Sequence, residues 1–131
     1  MKENIVSFAS AVAGGVVSFL YGDVTVIMKI LLCMIVIDFA SGVMKAIVEK
    51  KLNSEVCSKG IVKKIFILLL VAVGHMVDLA VNSNIVMTAV CFFYIANEGM
   101  SIVENAGRMG LPVPEKIKEV LEQLQDGGKE E

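Results

Sequence analysis

The sequence predicts an all-α integral membrane protein: about four transmembrane helices in two antiparallel hairpins, followed by a short cytoplasmic amphipathic helix. Three observations carry this. Of 131 residues, 56% are hydrophobic and only 20% charged, and mean hydropathy is +0.73. A soluble domain this small has a high ratio of surface to volume and needs more polar residues to cover it. The charges are also unevenly placed: Ile5–Gly22 has none across 18 residues, and Leu79–Asn97 has none across 19. Finally, these runs match a bilayer, because about 20 mostly apolar helical residues cross roughly 30 Å of hydrocarbon.

The first span is placed at residues 5–21. A secretory signal peptide is the competing reading. It fits less well, because Lys2 is followed at once by Glu3 and the apolar stretch before Ala11-Val12-Ala13 is too short. The second span, 26–47, holds the apolar run Ile30–Ile37 between Lys29 and Asp38. The third, 62–81, holds Ile65–Val77 between Lys64 and Asp78. The fourth is 85–105. Turns fall around Tyr21-Gly22-Asp23, over Val48–Gly60 and at Asn82-Ser83-Asn84, where Gly, Asp, Asn and Ser favour reversal. Residues 1–107 thus form a transmembrane domain.

Residues 108–131 form a tail of different character. Gly110-Leu-Pro112-Val-Pro114 breaks the helix. Ile117, Val120, Leu121 and Leu124 then recur at i, i+3, i+4 and i+7, the pattern of an amphipathic helix over Glu115–Gln125. About three turns are marginal alone, so this stripe is expected to contact a partner surface. Asp126–Glu131 is expected to fray.

Lysine sets the orientation. Lys45, Lys50, Lys51, Lys59, Lys63 and Lys64 face only Glu49 and Glu55 in residues 45–64. The positive-inside rule puts that turn in the cytoplasm. Four crossings then place both the N-terminus and the tail there too.

Charged residues within the spans need a reason, because hydrocarbon does not solvate them. Counting depth at about 1.5 Å per residue gives three layers. Lys29 and Asp78 lie near the outer face. Asp38 and Glu98 lie near the middle. Lys45, Lys64 and Glu104 lie near the inner face. The expected ion pairs are Lys29 with Asp78, and Lys45 or Lys64 with Glu104. Side chains reaching to the headgroups are the alternative for these two layers. Asp38 and Glu98 have no basic residue at their counted depth. They either face water, share a proton, or cap a polar contact between helices.

Polar stripes accompany them. Asp38, Ser41, Gly42 and Lys45 follow helical spacing, as do Asn97, Ser101 and Asn105 beside Glu98 and Glu104. Such stripes must face protein or water. They are pore or assembly candidates, with helix-to-helix adhesion as the plain structural alternative. Ser10, Ala11, Gly14 and Gly15 form small-x3-small pairs, which let helix backbones approach closely. His75 reads as a hydrogen-bonded core residue.

Other function classes find little support. The net charge of −2 offers no basic footprint for nucleic acid. Cys33, Cys57 and Cys91 make no CxxC pair and suggest neither disulfide nor zinc. No Gly-rich phosphate loop, GxSxG or HExxH motif is present. No catalytic residue, metal or cofactor is expected.

Several stretches together resemble a known family. Asp38-x3-Gly42 opens the inner half of span two, and Ser58-Lys59-Gly60-Ile61-x-Lys63-Lys64 leads into span three. Tyr94-Ile-Ala-Asn97-Glu98-x2-Ser101-Ile102-x-Glu104-Asn105 closes span four, and Gly110-x-Pro112-x-Pro114 follows. Their order and spacing resemble the phage-lysis and toxin-secretion holins of Gram-positive bacteria and their phages. The resemblance covers residues 25–125. It implies a multi-pass protein of the bacterial cytoplasmic membrane whose partners are the lipid bilayer and further copies of itself. Such proteins accumulate, oligomerise and open holes through which an endolysin or a large toxin passes as cargo. Two rivals remain open. One is a small ion-coupled transporter or channel subunit using Asp38 or Glu98. The other is a membrane scaffold whose acids are only packing contacts.

Overall fold

The computed structural model describes residues 1–126. It contains five α-helices: α1 (Lys2–Tyr21), α2 (Val26–Val48), α3 (Ser54–Val81), α4 (Val86–Arg108) and α5 (Glu115–Asp126). No strand occurs among the described residues. Helices α1 to α4 are each long and apolar enough to cross a membrane. The chain is an all-α membrane protein.

Local chemistry sets the helix starts. The Thr25 hydroxyl accepts the Met28 N–H at 3.4 Å and opens α2. Asn53 Oδ1 accepts the Val56 N–H at 2.8 Å and opens α3. Glu55 follows in the first turn, where an acid suits the helix dipole, and pairs with Lys59 at 2.8 Å. Helix α3 therefore begins at Ser54, ahead of the expected 62, and the turn expected over Val48–Gly60 shrinks to residues 49–53. Lys50 takes a left-handed conformation there, with φ 56°, and the Lys51 N–H closes back on the Ala46 carbonyl at 2.9 Å.

Packing does not simply follow chain order. Helix α2 rests mainly on α4, α3 on α4, and α1 on α3 rather than on its sequence neighbour α2. Gly74 faces Met87, Lys64 faces Glu98, and Gly60 faces Phe39, so α3 runs antiparallel to both α2 and α4. Met28, Leu31, Ile35, Ile67, Val71, Met87 and Cys91 form the buried core between these three helices. A Cβ on Gly74 would lie 3.1 Å from the Met87 Cα. That close approach is what membrane helices use where burial from water supplies no drive. Outside, Val36, Ile37, Val62, Ile65, Phe66 and Phe92 stand exposed, as residues facing lipid tails do.

Helix α1 buries no residue. It is tethered at its end, where the Tyr21 hydroxyl donates to the Leu68 carbonyl at 2.9 Å. Gly22, at φ 63°, sits under His75, whose Cε1 would be 2.8 Å from any added Cβ. His75 is thus a half-buried residue at the α1–α3 corner.

Past α4, Gly110 reverses the chain at φ 82°, and Pro112 and Pro114 keep it non-helical up to Glu115. Helix α5 then folds back along α4. Of the segment expected to fray, Asp126 ends α5, and residues 127–131 lie outside the described residues.

Candidate functional site

Three helices converge on one charged group. Asp38 comes from α2, Lys64 from α3 and Glu98 from α4. The Lys64 ammonium forms ion pairs with both carboxylates. All three side chains are mostly enclosed, at 7%, 16% and 6% exposure respectively. The Asn105 amide donates to Asp38 Oδ1 at 3.3 Å and to the Ser41 hydroxyl at 2.9 Å. Ser41 in turn donates to the Asp38 carbonyl at 2.9 Å. No enclosed side-chain nitrogen or oxygen is left without a partner among the described residues. Two carboxylates and one ammonium sum to a formal charge of −1, stabilised by hydrogen bonds and shielded from lipid by three helices.

This arrangement corrects two expectations. Asp38 and Glu98 do have a cation in their layer, and Lys64 pairs with them and not with Glu104. Depth counted along the helix axis puts the Lys64 Cα farther in than the acids. Its four-carbon stem, several Å long, spans the difference. Glu104 is exposed, Lys45 is half-buried, and neither makes an ion pair among the described residues.

The outer pair is corrected too. Lys29 is exposed and makes no ion pair among the described residues. Asp78 is instead a helix cap. Its two oxygens accept the Val86 and Met87 N–H groups, each at 2.9 Å. Asn82, left-handed at φ 54°, ends α3, and the Ser83 N–H returns to the Asp78 carbonyl at 2.8 Å. One aspartate thereby holds both ends of the α3–α4 turn.

The stripe residues divide. Asp38, Glu98 and Asn105 are buried, whereas Ser41, Gly42, Asn97 and Ser101 are half-exposed. Gly42 lets the Asn105 amide pass 3.8 Å from where its Cβ would be. Asn97 accepts the Gln125 amide of α5 at 2.8 Å. Asn97, Ser101, Glu104, Arg108, Lys118 and Gln125 line a cleft between α4 and α5. Of the tail stripe, Leu121 alone is buried; Ile117, Val120 and Leu124 stay exposed. Leu121 packs on Gly99, where a Cβ would meet its Cδ2 at 2.6 Å. On α1, Ser10, Ala11, Gly14 and Gly15 are all exposed, with nothing within 4 Å of either glycine's Cβ position.

Some contacts carry no sequence signal of the kind used above. Arg108 donates to Glu49 at 2.9 Å and ties the C-terminal ends of α4 and α2. Gly99 receives Leu121, although a lone glycine in an apolar helix has many uses. The Gln125–Asn97 bond joins residues 28 apart.

Comparison with known proteins places this architecture. A protein of Halalkalibacterium halodurans named as uncharacterized is 42% identical over 125 residues, covering 91% of this chain and 93% of that one. One of Listeria innocua, also named as uncharacterized, is 45% identical over 122 residues, covering 92% and 84%. A protein of Bacillus phage phi105 named probable holin is 37% identical over 105 residues, covering 79% and 77%. No solved structure matches the chain. Residues 15–126 match the bacteriophage holin family. On this match and these identities, the chain belongs to the bacteriophage holin family.

Proposed function

We propose that this protein is a holin: it accumulates in the bacterial cytoplasmic membrane, oligomerises, and opens holes that release an endolysin or a large toxin. The observation that carries the reading is the charged group of Asp38, Lys64 and Glu98, held inside a protomer whose helices α1, α2 and α3 present mostly apolar surface outward. One protomer of four spans is too thin to enclose a passage for a folded enzyme, so a hole needs many copies. While the protein is dilute, its intramembrane charges are satisfied internally and the bilayer stays sealed. As copies crowd, the unoccupied small-residue face of α1, with Ser10, Ala11, Gly14 and Gly15, supplies close helix contacts between neighbours. Polar surface such as Asn97, Ser101 and Glu104 then turns to water. The lysine-rich turn lies in the cytoplasm, as do both termini, so the tail helix folds back onto α4 from the side where the cargo waits.

The test is inducible expression in a bacterium with and without a co-expressed cytoplasmic muralytic enzyme. A holin gives abrupt lysis after a delay only when the enzyme is present. Slow growth arrest with leakage of ions alone would instead identify a small-ion pathway through Asp38 or Glu98.

A further inference from the structure

The position of α5 conflicts with lipid. Asp38 and Glu98 each lie twelve residues into their helices, counted from Val26 and Val86, about 18 Å below the outer ends. Helix α4 continues ten residues beyond Glu98, about 15 Å more. Helix α5 runs back beside that inner half, with Lys118 in the cleft near Arg108, Leu121 on Gly99 and Gln125 on Asn97. Its far end therefore reaches the level of the charged group. Roughly 30 Å of hydrocarbon measured from the outer ends extends well past that level. The outer side of α5 nevertheless exposes Glu119, Glu122 and Asp126. Lipid tails do not accept such a row.

The opposite side of the protomer differs at the same depth. Ile37, Met44 and Ile47 on α2 and Val62, Ile65 and Phe66 on α3 are exposed and apolar. In its inner half the protomer is mostly apolar across α2 and α3, where Lys63 is an exposed charge, and polar along the outer side of α5, which is flanked by exposed Ile117, Val120 and Leu124.

We propose that the α4–α5 face is the wall turned to water in the assembled hole, with α5 still docked on α4. This rests on the holin reading and deepens it. The lining charge comes from Glu119, Glu122 and Asp126 and from the cleft of Asn97, Ser101, Glu104 and Lys118. Asp38 and Glu98 stay bound to Lys64 and hold the wall together.

The experiment uses the full chain in vesicles of phosphatidylcholine and phosphatidylglycerol, with Cys33→Ala, Cys57→Ser and Cys91→Ala as background. Fluorophores are attached at Glu119→Cys or Glu122→Cys, and for comparison at Ile37→Cys or Val62→Cys. Quenching is measured with iodide on both sides and, separately, with nitroxides on the lipid acyl chains. Spin labels at Thr88→Cys and Glu122→Cys report whether α5 stays on α4. The expected result is several-fold stronger iodide quenching at the α5 positions, the reverse order at Ile37 and Val62, and a label separation matching the docked helix. Acyl-chain quenching at Glu119 and Glu122 would overturn the proposal. So would iodide quenching with a lengthened separation, which describes a tail free in the cytoplasm. Release of an encapsulated muralytic enzyme is scored in the same vesicles. Its failure alongside the expected quenching pattern would count against the holin reading and leave the water-facing wall standing.

Discussion

Asp78 accepts the backbone N–H of Met87 at 2.9 Å, nine residues further along the chain. The carboxylate is 4% exposed and also takes the Val86 N–H. Two of the free donors in the first turn of α4 are thus satisfied by the last turn of α3. At that exposure, little water can reach in to replace the cap. Asp78→Ala is expected to lower stability in detergent by about 2–3 kcal/mol. Asp78→Asn keeps one acceptor oxygen and should lose roughly half as much. Denaturant unfolding in micelles measures both. An Asp78→Ala variant as stable as the parent would show that packing alone holds the hairpin.

Lys64 is the single cation between Asp38 and Glu98, so the three residues act as one unit. Lys64→Met leaves two enclosed carboxylates facing each other. The expected cost is about 3–5 kcal/mol, as for other broken buried ion pairs. Neutralising the whole group with Lys64→Met, Asp38→Asn and Glu98→Gln together should recover most of that loss, because no uncompensated charge remains. Unfolding midpoints of the single and triple variants decide the matter. A triple variant no better than Lys64→Met would mean that the carboxylates serve some purpose other than pairing with the lysine.

Much of this fold is legible in the sequence because hydrocarbon imposes strict demands. The starts of the second and fourth helices fall within a residue of expectation, since the turn residues Gly22-Asp23 and Asn82-Ser83-Asn84 mark them. Asp38, Glu98 and Asn105 stand out because hydrocarbon does not solvate them. Their partners do not. A count of helical rise places each residue at its Cα, and Lys64 acts several Å from its own. The early start of α3 is hidden because Ser54–Lys63 mixes polar and apolar residues, and a cap such as Asn53 outweighs hydropathy there. Asp78 reads as an intramembrane charge until the turn brings the Met87 N–H to it. The seating of Leu121 on Gly99 is least legible, because a missing side chain marks room without naming what fills it.

Gly99 allows α5 its approach, since Leu121 Cδ2 lies 2.6 Å and Met34 Cε 3.1 Å from where a Cβ would stand. Gly99→Ala should displace Leu121 and weaken the α4–α5 contact by about 1–3 kcal/mol. Leu121→Ala, added to it, should restore part of the docking by removing the obstructing methyls. Amide hydrogen exchange is the direct readout. Protection should fall along Lys118–Gln125 while the core around Leu31, Val71 and Cys91 keeps its own. Unchanged protection in α5 would mean that Leu121 shifts aside without loss.

Gly14 and Gly15 separate folding from assembly. Nothing lies within 4 Å of either Cβ position, and α1 buries no residue within the protomer. Replacing both with leucine should therefore leave the single protomer no less stable than the parent, because no neighbour is displaced and leucine is the better helix former. Close approach of two α1 helices, by contrast, depends on small side chains at the contact. The double variant Gly14→Leu, Gly15→Leu should give fewer cross-linked oligomers in membranes and delay or abolish enzyme-dependent lysis. Chemical cross-linking after graded induction measures the first, and culture turbidity the second. Unchanged cross-linking and lysis at equal expression would remove α1 from the assembly contact and leave the exposed faces of α2 and α3 to supply it.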